Sequence, residues 1–468
     1  MLLCACKNNH KGDELVKIRS RIPIITGTLL GVAGIASLVV GATLNQKVSA
    51  TVPGINQLVS QSTGGTPANA PSSIGDHAIS GNGRYVVFTS GATNLTSDGV
   101  GGVFLRDTVS NTTTLVSLSD TGSPVSGSNT AISYDGRYIV FQSSAANVVT
   151  GVTTGTHIYV RDLVNSTTRI ADKNASGTVS LTSSKPDINA DGRYVIFMTN
   201  DKNITGIPAS ITAYDDQVVI KDMNGLSGST RIISGTPTSP AYSMQSPATI
   251  DGAIDCSGRV VSFLSNGSGL GRPFSRGNAD YDLFSVTANW SSNTITTATA
   301  SRPPLSIYTL GKQRPSCDGN TIVYADSRGY AQLYNRLTGA FTFVNYNSSG
   351  VYTNMTGTIS AGTAATPSGD GRYIAFTDKG TNMDSSHPQT YKGTGYDVFV
   401  RDMVAGKTNL ISFTALGNHS GRASNPNLSG DATTVAYTYT TDTSDPNSEL
   451  ISGINTGQSD IYISKTGY

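Results

Sequence analysis

The sequence predicts an all-β ring, a seven-bladed β-propeller of four-stranded blades in which an N-terminal strand closes the last blade. Three observations predict it: a hairpin segment written seven times, a pair of strands that follows it, and a strand missing at one end of the array but spare at the other. Composition agrees. Of 468 residues, 51 are Gly and only 13% are charged, and Glu14 and Glu449 are the only glutamates. Ser, Thr, Asn, Gly and Val fill the chain, a balance that favours strands and turns over helices.

The hairpin reads "AISGNGRYVVF" to Phe88, "AISYDGRYIVF" to Phe141, "DINADGRYVIF" to Phe197, "AIDCSGRVVSF" to Phe263, "RPSCDGNTIVY" to Tyr324, "TPSGDGRYIAF" to Phe376 and "NLSGDATTVAY" to Tyr437. The fifth and seventh copies are degenerate, so a six-bladed ring is the alternative. The copies recur roughly every 50 to 65 residues, the spacing of a propeller or another repeat array. Asp-Gly or Asn-Gly between apolar runs is a hairpin signal because those residues tolerate positive φ. The turn pairs Gly83–Arg84, Gly136–Arg137, Gly192–Arg193, Gly258–Arg259 and Gly371–Arg372, with Gly319 in the fifth copy, are the candidate blade-defining residues. The run after the turn is apolar on both faces and must be covered on both.

A third strand follows as "VFLRD" (103–107), "IYVRD" (158–162), "VVIKD" (218–222) and "VFVRD" (398–402), and a fourth as "TTLVS" (113–117) and "TNLIS" (408–412). Four strands make a propeller blade. The seventh copy stops after its third strand, at "DIYISKTGY". A spare fourth strand, "INQLVS", stands at 55–60, where Ile55, Leu58 and Val59 are the expected apolar closure. Such closure leaves no open edge.

The Asp-Gly-Arg-Tyr-x-x-Phe hairpin followed by Arg-Asp resembles the TolB-like β-propeller repeat of exported bacterial proteins, over about Ile55 to Tyr468. The resemblance implies a binding platform, an assembly factor or, less often, an enzyme. Some TolB-like propellers are lyases that act on pectin fragments with a histidine-held metal. That makes a metal-dependent, oligogalacturonate-lyase-like enzyme the alternative function.

Residues 1–50 read as a separate unit. Lys7, Lys11, Lys17, Arg19 and Arg21 precede an uncharged run from Ile22 to Leu44, followed by "KVSA". A cleaved secretory signal and a transmembrane anchor both fit. Either leaves the basic end in the cytoplasm and places the propeller, residues 51–468, outside it. Cys4 and Cys6 fall on the reducing side. Without its first 50 residues the chain is slightly acidic, which gives no electrostatic reason to expect nucleic acid.

Strand order sets the faces. First-to-second and third-to-fourth connections share a rim of tight turns. Second-to-third and fourth-to-first connections share the other rim, with long loops such as "SNGSGLGRPFSRGNADYD" from Ser265, "TDKGTNMDSSHPQTYKGTGYD" from Thr377 and "TDTSDPNSELISGINTGQSD" from Thr441. Long loops on a rigid scaffold are where binding resides, so a protein or glycan partner is expected there, on a monomer. His77, His157, His387 and His419 lie on or beside this rim but lack metal-ligand spacing. Asn278, Asp280 and Asp282 alternate like the start of a calcium loop, without the closing Glu. No nucleophile elbow or phosphate loop occurs. Catalytic, metal and cofactor-binding residues are therefore expected to be none. The recurring Arg-Asp pairs read as structural. Cys256 and Cys317 each stand two residues before the hairpin Gly in consecutive blades, where equivalent positions face each other. A disulfide is expected in an exported chain, with two buried thiols as the alternative.

Overall fold

The computed structural model describes residues 55–205, 216–224, 230–234, 249–265, 281–289, 294–295, 299–301, 313–325, 330–353, 365–383 and 395–468, except 175, 418, 419, 421, 442, 444–447 and 455. The basic and apolar N-terminal segment lies outside them. The rest forms seven antiparallel sheets, each a blade; in six the strands pair in chain order, and in the seventh a strand from the start of the chain adds to the last one.

Blade 2 shows the unit: strands Ser128–Ile132, Tyr138–Ser143, His157–Asp162 and Thr167–Ile170. Blade 4 supplies its outer strand in two pieces, Thr294–Ile295 and Thr299–Ser301, both against Asp282–Asn289. In blade 7, Ala423–Leu428, Thr434–Thr440 and Ser459–Lys465 are joined by Asn56–Leu58 from the other end of the chain. The register is Asn56↔Ser464, Gln57↔Ile463 and Leu58↔Tyr462. Leu58 and Val59 are buried here. Ile55 is not: it precedes the strand and is 62% exposed. Its place in the closure is taken by Asn56, whose amide donates to Phe413 O at 2.7 Å and whose Oδ1 accepts from Tyr437.

The hairpin motif resolves into contacts. Ser133 Oγ accepts from Tyr138 N and donates to Asp135, which also receives Arg137 N. Gly136 follows at φ 76°, a conformation that costs a side-chain-bearing residue about 1 kcal/mol or more. A Cβ there would also stand 2.6 Å from the ring of Tyr85 in blade 1; at Gly192 it would stand 2.2 Å from Tyr138 in blade 2. In blades 2, 3 and 4 the hairpin Gly is thus the seat for the preceding blade's Tyr. Arg137 lies 4.8 Å over Tyr138 and makes a bidentate pair with Asp162, whose Oδ1 caps the next turn at Val164 N and Asn165 N. Arg84–Asp107, Arg193–Asp222 and Arg372–Asp402 repeat this arrangement. In blade 4, Arg259 is exposed and faces no such carboxylate, because Thr287 stands opposite Val260.

The last residue of the motif builds the core. Phe88–Phe104, Phe141–Tyr159, Phe263–Phe284 and Phe376–Phe399 are cross-strand pairs with centroids 5.3 to 5.7 Å apart, all fully buried. Such pairs add about 0.5–1.5 kcal/mol beyond area burial.

The ring closes through backbone as well. One interblade hydrogen bond joins each neighbouring pair of hairpins: Gly81 N to Tyr134 O, Asp135 N to Ala190 O, Ala190 N to Cys256 O and Cys256 N to Cys317 O. Asp318 N to Gly369 O, Gly369 N to Gly430 O and Asp431 N to Gly81 O complete the circuit, all between 2.8 and 3.3 Å. Seven blades, not six, make this circuit.

Candidate functional site

The axis is filled from the turn-rich side. The position two residues before the hairpin Gly is Gly81, Tyr134, Ala190, Cys256, Cys317, Gly369 and Gly430 around the ring. Only Tyr134 is large. A Cβ on Gly430 would lie 2.1 Å from its hydroxyl oxygen, one on Gly81 would lie 2.2 Å from its ring, and one on Gly369 would lie 3.0 Å from the hydroxyl. Glycines in three other blades therefore cradle one phenol. Burial pushes that phenol's pKa up, and Asp431 and Asp370 add to it. Beside it, Cys256 and Cys317 are bonded through sulfur with Cα atoms 4.5 Å apart.

Deeper along the axis, bulged inner strands bring polar groups together. Register shifts interrupt the inner strands of blades 2, 3, 4 and 7, and Asn129, Lys185 and Asn425 take positive φ there. Bulges re-aim side chains. His77 Nδ1 stands 2.8 Å from Asp187 Oδ1, a contact from blade 1 to blade 3. Burial opposes the imidazolium, but the charge and hydrogen bond of Asp187 outweigh it and raise the His77 pKa. Asp187 Oδ2 also accepts Ile254 N of blade 4. Arg314 of blade 5 reaches Asp76 at 3.4 Å; burial lowers its pKa to about 9, so it stays charged at neutral pH. Asn427 of blade 7 accepts Ala78 N and donates to Gly75 O. Between these groups and Tyr134 lie cavities of about 40 and about 30 Å³, room for roughly two or three waters each.

His157, at the start of a blade 2 strand, has both ring nitrogens engaged, Nδ1 with Asp172 at 3.1 Å and Nε2 with Thr154 O at 2.7 Å. It is buried and not placed as a ligand. His387, His419, Asn278 and Asp280 lie outside the described residues. Asp282, the remaining member of the candidate calcium loop, is a buried strand residue opposite Ser265. Among the described residues no three His, Cys, Asp or Glu converge as a metal site. The His77–Asp187 contact and the Tyr134 plug were not read from the sequence. The aligned column of seven residues held a signal for the plug, since it contains one large side chain among small ones.

The long connections leave from the other rim. Residues 266–280 and 384–394, in two of them, lie outside the described residues; the third, between Thr434–Thr440 and Ser459–Lys465, is described in part.

Neither family models nor curated proteins match this chain. Solved structures do. An oligogalacturonate lyase in complex with manganese aligns at TM-score 0.50 and 12% identity, over 89% of this chain and 97% of its own. An oligogalacturonate lyase from Vibrio parahaemolyticus aligns at 0.48 and 11%, over 88% and 97%. TolB from Acinetobacter baumannii aligns at 0.37 and 12%, over 82% and 80%. At these identities the likeness is one of fold, and a fold does not carry function.

Proposed function

We propose that this chain is an exported, non-catalytic β-propeller that presents its loop-rich rim to a protein or glycan. The observation that carries the reading is the axis: among the described residues it holds Tyr134, the His77–Asp187 contact and the disulfide, and the cavities beside them are water-sized. A buried small-molecule site usually needs several hundred Å³. The DGRY and RD motifs are spent on holding blades together. The long connections on the opposite rim are then the variable surface, and the basic-then-apolar N-terminus supplies export, with or without a retained anchor.

The second reading is a metal-dependent, oligogalacturonate-lyase-like enzyme. It draws on His77, whose side chain keeps 29% exposure beside the axial cavity. One experiment separates the two. The full chain, purified in detergent, is incubated with oligogalacturonate and manganese, calcium or zinc while unsaturated product is followed by ultraviolet absorbance. In parallel, extracellular partners are captured with the same protein. The platform reading expects no product, and capture that fails when residues 384–394 are replaced by Gly-Ser. Metal-dependent product that disappears in His77→Ala would replace it with the lyase.

A further inference from the structure

The third-to-fourth turns of the turn-rich rim carry a repeat of their own. Val109, Val164, Leu337 and Val404 hold the same place in blades 1, 2, 5 and 6, two residues past the Asp or Asn that ends the third strand. Oδ1 of that Asp or Asn accepts the backbone N–H of each at 2.9 to 3.0 Å, and all four are between 69% and 78% exposed. The turn does not require an apolar residue there. In blade 3 the place belongs to Asn224, exposed and capped by Asp222 in the same way at 3.0 Å. A single exposed apolar side chain needs no explanation; one repeated at a place where Asn serves as well does.

Those four blades flank the point where the chain enters the ring. Blade 7 lies between blades 6 and 1, and its outer strand, Asn56–Leu58, starts on the turn-rich rim. Asn56 pairs with Ser464, and the next residue, Lys465, pairs with Thr434 just past the hairpin. Gln57 Nε2 donates to Asn111 Oδ1 in the blade 1 turn, 3.0 Å away. Exposed Ile55 stands at that entry. Leu337, Val404, Ile55, Val109 and Val164 therefore follow one another through blades 5, 6, 7, 1 and 2, an arc centred on the entry. In the sequence only residues 45–54 separate Ile55 from the end of the uncharged run at Leu44. Fully extended, they span at most about 40 Å. The loop-rich rim lies a strand length further off, roughly 20 Å for six residues.

We propose that this arc docks on the surface of a lipid bilayer, its apolar side chains at the boundary of headgroups and acyl chains, with the loop-rich rim turned away from the membrane. The proposal rests on the export reading in its anchored form and adds an orientation to it. Apolar side chains at that boundary bind in proportion to the area they bury, and five are too few to hold a protein of this size unaided. A short tether makes the docking intramolecular and raises the effective concentration of the surface, so weak contacts suffice. The hairpin arginines beside the arc, Arg84, Arg137 and Arg372, are paired with Asp107, Asp162 and Asp402. Those pairs add no net charge, so the docking needs no anionic headgroup.

The test is fluorescence quenching in the full chain, reconstituted in phosphatidylcholine vesicles that contain a nitroxide-labelled lipid. With Cys4→Ser and Cys6→Ser as background, a nitrobenzoxadiazole dye is placed at Val109→Cys or Val404→Cys, or on the other rim at Leu181→Cys or Leu416→Cys, which replace equally exposed apolar residues. The dye at 109 and 404 should be quenched at least threefold more than at 181 and 416. Replacing Val109, Val164 and Leu337 by Asn, which the blade 3 turn already carries, should halve the quenching at 404 or better. Equal quenching on the two rims, stronger quenching at 181 and 416, or quenching at 404 indifferent to the Asn substitutions overturns the proposal. If the chain then still floats with the vesicles through alkaline carbonate, the anchored reading stands without this orientation. If carbonate strips it from them, the anchor falls and the docking with it.

Discussion

His157 shows how a loop-side histidine becomes a structural one. Its ring is enclosed in blade 2, and both nitrogens face oxygen, the Asp172 carboxylate and the Thr154 carbonyl. Burial works against the imidazolium, but the hydrogen bond and charge of Asp172, with the Thr154 carbonyl, win, so the pKa is raised above its ordinary value. Folding therefore favours the protonated form. The stabilisation is complete below the unfolded pKa of about 6.5 and is lost as pH climbs through the raised folded value. His157→Asn should cost most melting temperature near pH 5.5, and the deficit should shrink above pH 8. A deficit of constant size across thermal melts from pH 5.5 to 9 would contradict this assignment.

At the scale of the hairpin, the disulfide joins the two neighbouring blades whose sequences depart most from the repeat in this region. Blade 4 lacks the Arg–Asp pair, and blade 5 carries Asn320 and Thr321 where blades 1, 2, 3 and 6 have Arg and Tyr. The cross-link spans a sequence separation of 61, for which loop-closure entropy predicts about 4 kcal/mol. Cys256→Ser should lower the melting temperature by roughly 5 °C, and reduction should do the same to the native chain but not to the variant. Mass spectrometry of exported protein that finds both thiols free would remove the cross-link from the account.

The hairpins were legible in the sequence because their determinants are local: Ser133, Asp135, Gly136 and Tyr138 are near neighbours in the chain and hold one another. The Arg–Asp pairs were legible through repetition. Tyr134 and the His77–Asp187 contact were not, because they arise from residues of several blades meeting at the axis. Ile55 misled for a related reason. Its apolar side chain suggested strand core, but the pairing begins one residue later and leaves it in solvent.

For the whole molecule, the closure by Asn56–Leu58 is the feature most open to test. Removing residues 51–60 deletes the outer strand of blade 7, exposes the edge of Ser459–Lys465 and strips Asn56 from Tyr437 and Phe413. The shortened chain should aggregate, or melt at least 10 °C lower than the full chain by circular dichroism; melting at the same temperature would show that the ring closes without that strand. The outer strand of the final blade was foreseeable because the array was one strand short at its end and had one to spare at its start.

The circuit of backbone bonds linking all seven hairpins has a consequence for how the molecule comes apart. A linear repeat array can fray, shedding terminal repeats one at a time at modest cost. A closed circuit has no terminal repeat to shed. Loosening any blade means breaking contacts with both neighbours, so amide protons in the hairpins should exchange together rather than as a gradient along the chain.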